Sequence, residues 1–373
     1  MGGPLSGLRV VEFAGIGPGP FAGMLLADLG AEVLLVERPG GQWLPTPVVR
    51  RGKHSLTLDI KRAEGLAQCR EALSRADMLI EGFRPGVMER LGLGPEEALK
   101  LNPRLIYGRM TGWGQTGPLA HSAGHDINYI GLTGALAAMG EAGAPPSPPL
   151  NLVGDFGGGA LYLVMGMLAA LHERQRSGVG QVVDAAIVDG AASLMAMFAG
   201  VATDGFSAFG GGGRSLARER NPLSGASPTY RCYECADGRY LAVGPIEPQF
   251  LAAMCERLAI DPAQVAPGRP EDWPAQANVL AKIFRQRPRD DWASVFEGSD
   301  ACITPVLEFE EAGEHPHVAA REVFIKVNGV RQPAPAPRFS RTPPPAPAGD
   351  PATGEGGAEL MANWIRAGER EGS

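Results

Sequence analysis

A histidine, three carboxylates and a scatter of arginines are the residues of this chain whose types and settings could do chemistry. His125 and Asp126 stand side by side in "GHDINYIGLTGAL" (residues 124–136), just after a glycine and before a run of small and apolar residues. Asp is a good helix N-cap, because its carboxylate accepts the unpaired N–H groups of the first turn, so an ordinary helix start accounts for Asp126 without catalysis. Asp155 lies in "NLVGDFGGGALYL" (residues 151–163), at the mouth of a long apolar stretch. It too can be read as an N-cap, with the glycines permitting close packing. Yet Gly157, Gly158 and Gly159 each weaken a helix by about 1 kcal/mol relative to Ala, which makes sense where something must approach the backbone closely.

Three further patterns are weaker. "GPGPFA" (residues 17–22) satisfies G-x-G-x-x-A between a strand and a helix, and Glu37 lies about twenty residues on, as a nicotinamide dinucleotide fingerprint requires. Against it, Pro18 and Pro20 each remove an N–H that would donate to a pyrophosphate. "CYEC" (residues 232–235) sits in a predicted hairpin around Ala236, Asp237 and Gly238, where residues three apart face opposite ways, so neither redox nor zinc chemistry is expected. His121 and His125 have metal-like i, i+4 spacing but no third ligand nearby, and no metal site is expected.

The elements that must position these residues follow from periodicity and punctuation. Apolar, β-branched runs at residues 8–15, 31–37, 55–60, 77–83 and 104–112 alternate with helical segments at 20–30, 62–76 and 95–102. Such alternation predicts an α/β fold with a doubly wound parallel sheet. The expected organisation is a large domain over residues 1–200, a glycine-rich linker over 201–228 that contains "GGGG" at 210–213, and a small α+β domain over 229–310. Residues 311–373 are then a Pro-rich return linker that crosses surfaces as extended chain and ends in a helix packed on the large domain.

Composition narrows the classes. With 373 residues, 44% hydrophobic and 20% charged, the chain is long enough to bury a sizeable core. The net charge of −7 disfavours a general nucleic-acid or membrane surface, so any polyanionic ligand must be met by a local basic pocket. Five cysteines without framework spacing fit a reducing, cytoplasmic setting. The most apolar stretch, residues 160–171, stops at His172 and Glu173, short of a membrane span, and reads as a buried helix.

Taken together, residues 5–40, "GRMTGWGQTGPLA" (108–120), "GHDINYIGLTGAL", "VGDFGGGALYL" (153–163) and "YECADGRYLAVGPIEPQF" (233–250) resemble the family III CoA-transferases, in particular their α-methylacyl-CoA racemase branch. The resemblance implies a Rossmann-like large domain and a small domain joined by two long linkers, and a homodimer of interlocked chains. It also implies an acyl-CoA thioester substrate drawn from fatty-acid metabolism, with CoA belonging to the substrate and no separate cofactor.

Residue by residue, the resemblance places a catalytic His at His125, a catalytic Asp at Asp155, and a Glu that orients the His at Glu247. Inverting the carbon beside a thioester carbonyl needs one group to take its proton from one face and another to return a proton to the other, through a planar enolate. An imidazole suits one face, whereas an Asp must have its pKa raised to act as an acid. Backbone N–H groups near Asp126 and Asp155 are the candidate donors to the enolate oxygen, so Asp126 either caps the helix or supplies a donor. For the CoA phosphates the basic run "RRGKHSLTLDIKR" (residues 50–62), Arg38, Arg84 and Arg90 are available. Leu58, Asp59, Ile60, Gly82, Met88 and Tyr129 are expected along the adenine and pantetheine path. The rival within the family is a CoA-transferase in which Asp155 attacks the thioester covalently. Residues 222–228, "PLSGASP", depart from the glycine-rich loop such transferases carry.

Overall fold

The predicted strands form β1 (Arg9–Phe13), β2 (Glu32–Glu37), β3 (Lys53–Thr57), β4 (Met78–Glu81) and β5 (Ile106–Thr111) in a computed structural model that describes residues 2–41, 47–205 and 214–371. A sixth strand, β6 (Val182–Ala186), was not expected; its short "VVDAA" run is partly exposed on the sheet edge beside β5 and lacks the long apolar pattern of its neighbours. All pairs are parallel in the order β3-β2-β1-β4-β5-β6, the doubly wound arrangement.

Both sheet faces are covered, which is why the strands read as continuous apolar runs. Successive residues point to opposite faces: Val10, Val33, Ile80 and Ile106 enter one core with Leu163 and Met167, while Val11, Leu34, Leu79 and Tyr107 enter the other with Leu73, Leu360 and Trp364. β3 begins at Lys53, two residues earlier than expected, because Lys53 aligns with Val33 on β2.

The chain forms two compact units, Met1–Ile130 with Leu150–Ser193 and Pro316–Ser373, and Gly131–Pro149 with Leu194–His315. The division differs from a single cut near residue 200, since the segment after the His125 helix groups with the second unit. The second unit carries an antiparallel sheet of β7 (Arg231–Glu234), β8 (Tyr240–Val243) and β9 (Ile303–Pro305), packed on the Pro248–Leu258, Trp273–Phe284 and Arg289–Phe296 helices through Leu241, Met254, Phe284 and Trp292. β7 and β8 are the hairpin expected around "CYEC", with Cys232 exposed, Cys235 buried and both thiols free. The tetraglycine at 210–213 lies outside the described residues.

The Pro-rich return is not all extended chain. β10 (Phe324–Val327) and β11 (Val330–Pro333) pair around Asn328 and Gly329, both at positive φ (51° and 81°), an Asn-Gly hairpin signal that the proline content obscured. Beyond it, Arg50 Nε donates to Asp350 at 2.7 Å, and the Gly354 N–H donates to Ser55 Oγ at 2.7 Å. The Gly357–Glu371 helix then packs on the first unit with Trp364 buried, its Nε1 donating to Glu32 at 2.6 Å.

Residues 152–160 and the Leu161–Ser177 helix run on as one rod, with mean hydropathy of 1.5 in its most apolar window. By length and composition this rod is long enough to cross a membrane, contrary to the expectation from residues 160–171 alone. Leu163, Val164, Met167 and Ala170 are buried in the core of the first unit, as in a core helix.

Candidate active site

Sheet order decides where a site can form. The strand order reverses between β1 and β4, and in such sheets the crevice outside the carboxyl ends at that point is where ligands bind. A cleft of about 600 Å³ occupies it, lined by Phe13 at the end of β1 and Ala14 after it, Arg38 after β2, Leu58 to Lys61 after β3, and Phe83 with Arg90 after β4. A second cleft of about 320 Å³ shares Phe83 and is lined by Gly82, Arg84, Trp113, His125 and Tyr129.

The expected contact residues therefore divide. Arg38, Leu58, Asp59, Ile60 and Arg90 line the first cleft, and Gly82, Arg84 and Tyr129 line the second with His125. Met88 lines neither: it is fully buried in the core, packed on the sheet side of the short Val87–Arg90 helix. Of the basic run, Lys61 lines the first cleft, whereas its first three cations are committed elsewhere. Arg50 is bound to Glu37 and Asp350, Arg51 to Asp28 at 2.6 Å, and Lys53 to Glu12 at 2.6 Å, all three cations buried. Buried charges persist only when paired, so these three hold the fold together. Arg38, Lys61, Arg84 and Arg90 remain exposed at the clefts. The Glu37 carboxylate, held by Arg50 and by the Ser55 hydroxyl at 2.5 Å, is likewise committed, which removes the acid a nicotinamide ribose would need.

His125 sits immediately before the Asp126–Leu132 helix. Its carbonyl accepts the N–H groups of Asn128 (2.8 Å) and Tyr129 (3.3 Å), while its own N–H donates to Asn128 Oδ1 at 3.0 Å. The Tyr129 hydroxyl donates to the Gly124 carbonyl, and its ring meets Trp113 edge-on at 4.8 Å, which fixes the backbone on either side of His125. Asp126 does not cap this helix. Its buried carboxylate turns away and accepts the backbone N–H of Asp155 at 2.6 Å.

Asp155 is not an N-cap either. It lies inside a π-helical stretch, Leu152–Ala160, in which the Phe156 N–H reaches back five residues to the Asn151 carbonyl at 3.2 Å. Single π turns inside longer helices often mark functional positions. The glycines serve close backbone approach: a side chain at Gly158 would come within 2.6 Å of the Ala191 nitrogen, and one at Gly159 within 3.0 Å of Ile187. The Asp155 carboxylate itself faces Gly17, where a Cβ would stand 3.1 Å from Oδ2. Burial raises the Asp155 pKa above the usual carboxylate range, and the like charge of Asp126 adds to it. A hydrogen bond from Asn151 and the nearby His125 pull the other way.

The first unit thus brings His125, Asp126 and Asp155 together. Because the Asp155 N–H is taken by Asp126, it is not available to an enolate oxygen; of the two expected backbone donors, the Asp126 N–H at the helix start is left. Glu247 belongs to the second unit, exposed at the start of the Pro248–Leu258 helix, whose cap makes no use of its side chain. Among the described residues, no group of three or more His, Cys, Asp or Glu is arranged to hold a metal ion. Phe83 and Asn151 were missed, and Gly17 was weighed only as part of a dinucleotide fingerprint. Asn151 could have been found from its place four residues before Asp155.

Residues 5–356 match the family model described as CoA-transferase family III. The chain is 45% identical over 367 residues to an alpha-methylacyl-CoA racemase of Mus musculus, covering 96% of this chain and 93% of that one. It is 42% identical over 363 residues to an alpha-methylacyl-CoA racemase of Homo sapiens, covering 96% and 92%. Among solved structures, a CaiB/BaiF family protein from Brucella suis matches with a TM-score of 0.82 at 29% identity, covering 98% of this chain and 100% of that one.

Proposed function

Because the chain belongs to CoA-transferase family III, and its relatives at 42–45% identity are racemases, we propose that it inverts C2 of 2-methylacyl-CoA thioesters. The observation that carries this reading is the pairing of His125 with an Asp155 carboxyl whose pKa burial raises. A neutral imidazole can take the C2 proton from one face while a protonated carboxyl returns one to the other. The C–H electrons pass into the planar enolate and come back to C2 with the new proton. The enzyme is left with a protonated His125 and an ionised Asp155, the form that converts the opposite epimer.

The Asp126 N–H is the candidate donor to the enolate oxygen, and Glu247 is assigned the support of the imidazole by family resemblance. The exposed cations at the two clefts suit the phosphates of CoA, and their apolar walls suit its adenine and pantetheine. Two copies are expected to associate. Leu152, Leu161 and Met165 are each more than half exposed along the long rod, an apolar stripe that a partner would cover. Five free cysteines suit a cytoplasmic setting.

Incubating the protein with a panel of 2-methylacyl-CoA esters in D2O tests the reading. Deuterium at C2 without an added acceptor acid supports it. A hydroxamate at Asp155 after hydroxylamine treatment, with no exchange at C2 in any ester, would instead identify Asp155 as the nucleophile of a transferase.

A further inference from the structure

The Asp126 side chain has no use in capping its own helix, and its setting calls for an explanation. It is 6% exposed, its Oδ2 accepts the Asp155 N–H at 2.6 Å, and its Oδ1 is buried without a hydrogen-bond partner. The approach depends on Gly154, since a Cβ there would overlap the Asp126 carboxylate. A buried carboxylate oxygen left unpaired costs stability, and such costs are kept where they serve a site.

Resting on the racemase reading, we propose that Asp126 is a positioning residue that acts through Asp155: its carboxylate fixes the Asp155 backbone and, by like charge, keeps a proton on the Asp155 carboxyl. A nearby like charge disfavours ionisation, and Asp155, the more exposed of the two side chains, is the one that can exchange its proton with a substrate.

Among the described residues, Asp126 is the charge that raises the Asp155 pKa. His125 acts in the opposite direction, as does the hydrogen bond from Asn151. The Pro18–Asp28 helix faces Asp155 with Gly17 at its start, and Asp28 at its far end is bound by Arg51. On β5, Arg109 is paired with Glu81 and Glu89. β6 carries Asp184, which accepts the Gln115 N–H at 3.3 Å, and the Ile187–Leu194 helix carries Asp189. Tyr129 donates its hydroxyl to Gly124.

The test is a carbon-13 titration of the Asp155 carboxyl in the full-length protein labelled at aspartate, with Asp155→Asn to assign the signal. In wild type its midpoint is expected above the ordinary aspartate range. In Asp126→Asn, which keeps an acceptor for the Asp155 N–H but not the charge, the midpoint falls by about one pH unit or more. Gly154→Ala, which displaces the carboxylate without altering either acid, lowers it as well. A wild-type midpoint in the ordinary range, or an unchanged one in folded Asp126→Asn, overturns the proposal.

Kinetics give a second readout. The two active forms hold the same single proton between His125 and Asp155, so kcat/KM for the two epimers follows one pH profile, and the limb that reports Asp155 moves to lower pH in Asp126→Asn with either epimer. A titration that moves in a protein with no C2 exchange sustains the Asp126–Asp155 coupling and removes the racemase reading. Exchange with an unmoved titration sustains the racemase and removes the coupling.

Discussion

Arg50 grips Glu37 through two hydrogen bonds, at 2.8 and 3.0 Å, with both side chains buried at the carboxyl end of β2. The same guanidinium reaches Asp350 and the Pro351 carbonyl, so one side chain closes the sheet and ties the returning chain to it. Arg38, one residue past Glu37, points instead into the cleft. The two arginines should therefore fail in different ways.

Arg50→Ala leaves Glu37 buried without its cation, and deleting one partner of a buried pair costs about 3–5 kcal/mol. The urea midpoint and the Tm should fall accordingly. A loss below about 1 kcal/mol would mean that Ser55 alone satisfies Glu37.

Arg38→Ala and Arg84→Ala should leave stability within about 0.5 kcal/mol, as expected for exposed side chains. Their effect belongs in KM for a CoA ester, which should rise, and in its dependence on ionic strength, which should flatten as a phosphate contact is lost. KM unchanged at every salt concentration would take both residues out of the CoA site.

Deleting either His125 or Asp155 should abolish epimerisation while leaving one base in place. His125→Ala, assayed in D2O with each 2-methylacyl-CoA epimer separately, should retain slow C2 exchange for one epimer, and Asp155→Ala for the other. Return of the original proton before solvent replaces it makes the residual rate small, so long incubations and mass detection are needed. Exchange of both epimers by His125→Ala would remove His125 from the pair.

In the second unit, hydrogen bonds from Arg289 hold the Glu311 carboxyl down at about 2, against an ordinary value of 4.5. A depressed folded-state pKa contributes stability that is fully present above the unfolded value and is lost as pH falls through the folded one. The window is therefore about pH 4.5 down to about 2. Glu311→Gln should be less stable than wild type at neutral pH, and the Tm difference between them should shrink across that window. A difference that stays constant with pH would show the pair to be neutral to folding.

The local pattern of the chain determined a good deal by itself. Apolar runs between Pro- and Gly-punctuated helices specify strands buried on both faces, and that demand leads to the doubly wound parallel sheet. His125 and Asp155 stood out because a polar side chain beside small, bare backbone is unusual within an apolar segment. What no local pattern carried was which groups are already taken. Arg50 and Arg51 look like free cations in the run of residues 50–62, but their partners include Asp350 and Gln332, roughly three hundred residues on. Asp126 and Asp155 each look like helix caps, because capping is a local signal. Only the fold puts the Asp126 carboxylate on an amide 29 residues away and turns the Asp155 segment into a π-helix packed against Ala191. Side-chain type and short-range period are written along the chain, whereas burial and pairing are properties of neighbours that the chain brings together only when it folds.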